Sequence, residues 1–195
     1  MVGEDTHRVE ATRRIRRRPD PSERGATLVE FAIVLPVLLL MVIALMEIGA
    51  AFKDVLAVSA ASREGSRYAA FLGDEADADC KIAQQVADTL ITELDRLVSI
   101  EIYEADQTTG AAVPGRTNTW TLVGDPADCV LGWVSTNNWP ASSRNVVFDP
   151  SGAPLDIVGV RIQVDRSWLT GFPPFSGNYV VDESSIIRLE PEAFS

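Results

Sequence analysis

The residues able to do chemistry are few, and their positions narrow what the chain does. The only histidine among the 195 residues is His7, far ahead of every serine or cysteine that would need an imidazole base. Ser-His-Asp and Cys-His arrangements are therefore absent, and zinc sites built on His/Cys clusters are excluded by count. Carboxylates are abundant, but no spacing singles out a glycosidase pair. We expect no enzyme and no catalytic residues. Two carboxylates stand out for another reason. Glu30 and Glu47 are the only charges between Ala26 and Phe52, and a carboxylate in an apolar setting is costly unless it finds a partner. Gly25 precedes Glu30 by five positions.

Two further groups invite chemical readings. Asp74, Glu75, Asp77 and Asp79 form an acidic run in front of Cys80. Carboxylates at alternate positions can share a hard cation, but this run lacks the turn glycine and closing glutamate of an EF-hand loop. It reads as a solvated loop whose carboxylates favour the start of the next helix, with no metal site and no cofactor assigned. Cys80 and Cys129 are the only cysteines. Outside the cytoplasm such a pair is more often a disulfide than two free thiols, and closing a loop of about 50 residues contributes roughly 4 kcal/mol in the chain-entropy model. Trp133, Trp139 and Trp168 read either as a sugar-stacking surface or as loop anchors and core.

The element that must position Gly25, Glu30 and Glu47 is one long apolar segment. Residues 26–52 make a helix roughly 40 Å long at about 1.5 Å per residue, against a bilayer core of about 30 Å that needs about 20 residues. Seven arginines lie in residues 1–24, and the next basic residue is Lys53. That asymmetry predicts a single pass with the N-terminus in the cytoplasm and everything after Lys53 outside the cytoplasmic membrane. The expected organisation is a basic, disordered leader over 1–25, a transmembrane helix over 26–52, and an extracytoplasmic domain over 53–195. Of the net charge of −11, the leader contributes +2 and the outer domain −11, the two glutamates making up the difference. An acidic outer domain argues against nucleic-acid binding. Three readings of the segment stand side by side: a cleaved secretory signal with small residues at Val58-Ser59-Ala60, a plain anchor, and a processed span. The apolar region exceeds the usual length of a signal and holds Pro36 and Glu47.

The residues opening the segment, Arg24-Gly25-Ala26-Thr27-Leu28-Val29-Glu30-Phe31, resemble the type IV prepilin processing signal. The fuller stretch RGATLVEFAIVLP is similar to the start of the TadE-like family, the pseudopilins or minor pilins of tight-adherence (Flp-type) pilus systems. Ala60-Ala61-Ser62-Arg63-Glu64-Gly65-Ser66-Arg67-Tyr68-Ala69-Ala70 and Arg188-Leu189-Glu190-Pro191 resemble later stretches of the same family. The resemblance implies cleavage by a prepilin peptidase between Gly25 and Ala26, and Glu30 pairing with the new N-terminal amine of a neighbouring subunit. It also implies packing within the membrane through Glu30, Phe31 and Pro36, with other pilins or pseudopilins and the pilus assembly platform as partners. The physical rationale is that a glycine lets an extended peptide approach a protease backbone closely. The same residues also read as a helix-boundary glycine and a first-turn carboxylate favoured by the helix dipole.

Beyond the span, Asp54–Leu72 should continue as helix and end at Gly73-Asp74. Its small residues Ala57, Ala60, Ala61, Gly65 and Ala69 suit either another subunit's helix or the domain's own sheet. Ile82, Val86, Leu90, Leu94 and Leu97 form one stripe of a second helix. Val98, Ile100 and Ile102 read as the inner face of a strand. Residues around Gly110, Pro114 and Gly115 read as a turn or loop, and Thr119–Val123 as the partner strand. Residues 124–144 read as irregular and Val146–Phe148 as a short strand, followed by a turn at Pro150-Ser151-Gly152-Ala153-Pro154. Val158, Val160, Ile162 and Val164 alternate with polar residues as a half-buried strand. Leu169–Asn178 reads as a loop, and Tyr179–Leu189 as a final strand broken by a bulge. The expected fold class is α+β: a single N-terminal transmembrane helix extending into a pilin-like outer domain, with a second helix packed on a mostly antiparallel sheet. Two function classes follow. One is a TadE-like pilus assembly protein. The other is an unprocessed single-pass membrane protein whose acidic outer domain binds a partner or ligand.

Overall fold

A computed structural model describes residues 21–147, 152 and 154–190, with side chains from Gly25 onward. The leader over 1–20, Phe148 of the expected short strand, Pro150, Ser151 and Ala153 of the expected turn, and Pro191 lie outside the described residues. The elements run α1 (Pro21–Leu72), α2 (Ala78–Thr89), β1 (Leu97–Ala105), β2 (Ala112–Leu122), β3 (Trp133–Ser135), β4 (Ile157–Ser167) and β5 (Asn178–Arg188), with 3-10 turns at Leu94–Arg96 and Ala141–Ser143. The strands form one antiparallel sheet in the order β3-β2-β1-β4-β5. The fold is α+β: a long apolar N-terminal helix, a second helix and a five-stranded sheet. The chain separates into two compact units at Ile43/Ala44. In the first, the helix is apolar and its side chains from Gly25 to Val42 are exposed.

In the second unit, the rest of α1 and the whole of α2 supply Val58, Ala61, Ala69, Ile82, Val86 and Leu90 to a core completed by Ile100, Ile102, Val158, Val160, Ile162 and Val164 of the sheet. Each fully buried aliphatic side chain contributes about 1.5–3 kcal/mol. Close approach depends on small residues. A Cβ at Gly65 would stand 2.7 Å from Val86 Cγ2 and 3.2 Å from Val160 Cγ1. Next to it, the Ser66 hydroxyl donates to the carbonyls of Ser62 (2.8 Å) and Ser185 (2.9 Å). Of the two roles open to the small residues, Ala61, Gly65 and Ala69 thus serve the domain's own packing, while Ala60 is exposed. The helix ends at Gly73, whose φ of 57° is the left-handed conformation of a helix-terminating glycine.

The strands and helices differ from the pattern-based ones in six places. Helix α2 stops short of Leu97: the Leu90 N–H is shared between the Val86 and Ala87 carbonyls, the β-branched Thr89, Ile91 and Thr92 favour leaving the helix, and Glu93 turns inward to Arg166. In β1, Ile100 and Ile102 face the core but Val98 faces out, because the β1–β4 register shifts between Leu97 and Ser99. Strand β2 starts at Ala112 and absorbs Pro114 and Gly115 at a register shift against β1, a kind of sheet position where a residue lacking an N–H is tolerated. β5 pairs with β4 at every position from Ser167↔Asn178 to Ile157↔Arg188, with no bulge. Residues 124–144, expected to be irregular, contain the short strand β3. Val146 and Val147 are not strand, and Val146 is buried beneath Gly73.

Candidate functional site

The residues singled out for processing all lie on α1 in the first unit. Pro21 opens the helix, where its missing N–H costs nothing. Gly25 and Ala26 sit four and five residues on and are exposed, and a Cβ on Gly25 would meet nothing within 4 Å. Glu30 is also exposed and carries no hydrogen bond or ion pair among the described residues. Phe31 is 57% exposed. Pro36 lies inside the helix, which continues through it, with one intrahelical hydrogen bond removed by the ring.

The second glutamate has the opposite surroundings. Glu47 is 1% exposed and accepts three hydrogen bonds from the β4–β5 loop: from the N–H groups of Leu169 (2.9 Å) and Thr170 (2.6 Å) and from the Thr170 hydroxyl (2.5 Å). Bonds to an ionised acceptor are the stronger kind, so the carboxylate fixes the loop to the helix.

Two turns further along, Asp54 enters a second network. Arg166 of β4 donates to Asp54 through Nε at 2.7 Å and through Nη2, and to Glu93 through Nη1. The Tyr179 hydroxyl of β5 donates to Asp54 at 2.9 Å. Burial pulls the Arg166 guanidinium down, and Asp54 and Glu93 more than offset this, so its net shift is upward. Burial, followed by the hydrogen bond to Asp54, pushes the Tyr179 phenol up. Trp168 stacks at 4.7 Å on Tyr179 and at 5.1 Å on Phe175.

Three carboxylates of the acidic run, Glu75, Asp77 and Asp79, are engaged by protein groups. Lys81 pairs with Glu75 at 2.7 Å and with Asp77 at 3.0 Å. Asp79 is buried against Arg144 and accepts from Asn118 at 2.7 Å. Asn118 also exchanges hydrogen bonds with the Trp139 backbone, and the Arg144 guanidinium lies 4.7 Å over the Trp139 ring. Among the described residues no group of three or more His, Cys, Asp or Glu gathers as a metal site. Cys80 is joined to Cys129 with a Cα–Cα distance of 5.8 Å. The disulfide and the Asp79–Arg144 pair both tie the start of α2 to the irregular region after β2. Trp133 and Trp139 are buried, Trp133 donating to the Pro126 carbonyl at 3.0 Å. They therefore anchor loops and share no stacking surface with Trp168.

The exposed Gly25, Ala26 and Glu30, the long apolar helix and the Ala61–Gly65 packing stretch lie on consecutive parts of one element, α1. That element carries the family match. Residues 25–67 match the family described as TadE-like protein. The matched stretch begins at Gly25 and ends in the close-packed stretch around Gly65, so this TadE-like segment comprises the apolar helix and the part of α1 that packs on the sheet. It leaves out α2 and all five strands. No curated protein and no solved structure matches the chain.

The networks around Glu47 and Arg166 were invisible to sequence reasoning, because their partners lie more than 100 residues apart for Glu47–Thr170 and Asp54–Arg166. The available signal was the cost of leaving Glu47 unpaired in an apolar helix, which demands a partner without naming it.

Proposed function

We propose that the chain is a membrane-anchored pseudopilin that acts in assembly or initiation of a tight-adherence pilus. The observation that carries this is the TadE-like match over residues 25–67, which starts at the glycine of the processing signal. In this reading α1 crosses the cytoplasmic membrane once, with the arginine-rich leader inside. A prepilin peptidase cuts between Gly25 and Ala26. Gly25 lies within the first turn and a half of α1, and glycine weakens a helix by about 1 kcal/mol relative to alanine, so exposing that bond in extended form requires unwinding only the helix start. The new amine at Ala26 and the unpartnered Glu30 then match a neighbour's Glu30 and amine as opposite charges in a low-dielectric setting. Phe31 and Pro36 shape the helix surface that packs there. The chain carries no catalytic role. Its partners are the peptidase, other pilins or pseudopilins, and the assembly platform. A folded domain of this size crowds a thin filament, which favours a tip or initiation role over that of major subunit.

The test is to shear filaments from cells and count copies of the chain per fibre, with wild type and Glu30→Gln. The reading expects a few copies at most per wild-type fibre and loss of assembly with Glu30→Gln. Normal filaments with Glu30→Gln would contradict it, and so would a copy number matching the major subunit.

A further inference from the structure

We infer that the β4–β5 loop, residues 168–177, is a second membrane contact, seated in the outer headgroup–acyl boundary beside the helix; this rests on the membrane-anchored reading of α1. The loop has the composition for it. From Ser167 to Val181 there is no charged residue, in a domain of net charge −11. Leu169 and Phe172 point outward, 67% and 51% exposed, while Trp168 stacks on Phe175 and Tyr179 behind them. Aromatic residues with apolar neighbours are the usual occupants of a bilayer interface.

The loop also has the position. Its backbone is hydrogen-bonded to Glu47, the first charge after the uncharged run 31–46. A span beginning at Ala26 reaches residue 47 after roughly 31 Å at about 1.5 Å per residue, which is the thickness of the hydrocarbon core. The loop is therefore pinned, through its own hydrogen bonds, to the residue where the span leaves that core. The strand register places the β2–β3 connection at the same end of the sheet, and it too exposes apolar residues, Val130 and Leu131. At the opposite end, the β1–β2 turn over Gln107–Gly110 is polar. Exposed apolar side chains next to the exit of a span are accounted for by lipid.

The test uses the full chain in phosphatidylcholine–phosphatidylglycerol vesicles at high lipid ratio, with the Cys80–Cys129 disulfide intact. A nitroxide is placed at Phe172→Cys, at Thr108→Cys in the opposite turn, and at Leu38→Cys within the span. The inference expects the label at 172 to collide with oxygen in preference to a water-soluble nickel chelate, with nickel access about threefold or more below that at 108, as for an interfacial site. Equal nickel access at 172 and 108, with 38 shielded, would overturn the loop contact and leave the span standing. Dipolar broadening at 172 would assign the loop to a second copy and overturn the contact as well. Nickel access at 38 would overturn the membrane reading itself.

Discussion

Glu30 and Glu47 sit seventeen residues apart on the same apolar helix and differ only in what surrounds them. Glu47 is buried and satisfied by three donors from residues 169 and 170 of its own chain. Glu30 is exposed, with no donor among the described residues. Both carry the cost of a carboxylate in an apolar stretch. One resolves it by folding, and the other finds no partner among the described residues. The contrast separates a carboxylate satisfied within the fold from one left open on the helix surface, a distinction that residue type and hydropathy do not make.

Substitutions that break the folded side of this contrast should have the largest effects. Arg166→Met leaves Asp54 and Glu93 buried without their cation and should cost about 3–5 kcal/mol, the range for breaking a buried ion pair. Chemical denaturation of the detergent-solubilised chain measures this. Glu47→Ala removes the acceptor of the part-buried Leu169 and Thr170 N–H groups and should cost about 1–3 kcal/mol, the range for leaving a donor unsatisfied. Native-state hydrogen exchange on the same variant should show loosening of the 168–177 loop.

A third carboxylate sharpens the comparison at lower cost. Asp106 is an exposed turn residue that accepts from the Thr109 N–H (2.8 Å), the Thr109 hydroxyl (2.9 Å) and the Thr108 N–H (3.0 Å). These bonds, the Thr109 N–H foremost, hold its carboxyl below the ordinary value of 3.8. A depressed folded value means that its stabilisation is complete above 3.8 and is lost as pH falls through the lower folded value. The stability difference between wild type and Asp106→Asn should therefore be constant from neutral pH down to the upper edge of that window and shrink below it, as read by acid titration of unfolding. The smallest effect on folding belongs to Glu30→Gln. It should leave unfolding unchanged within about 0.5 kcal/mol, so that any loss of assembly in this variant would not be assigned to misfolding.

The sequence made the elements with strong local period legible. The apolar helix, the Ile82–Leu90 stripe and the Val158–Val164 alternation show themselves in residues three, four or two apart. What stayed hidden depends on tertiary pairing. Pro114 and Gly115 carry a turn signal, yet the β1–β2 register shift takes them into a strand. Leu94 and Leu97 continue the helical stripe, yet the inward turn of Glu93 to Arg166 ends the helix before them. Val98 alternates correctly with Ile100, but a shift of register turns it outward. At the candidate site, Gly25 and Glu30 were visible because the stretch that resembles a processing signal is local. The roles of Glu47 and Asp54 were not, because their partners come from the far end of the chain.

The central claim is that this chain is processed after Gly25. Its most direct test is the intact mass of the protein from its native membrane, for wild type and for Gly25→Val. The added side chain meets open space in the fold, so a change in mass reports on cleavage alone. The account predicts a wild-type chain beginning at Ala26 and a variant that keeps its leader. A wild-type chain that retains residues 1–25, or one that begins near Ala61, would contradict it.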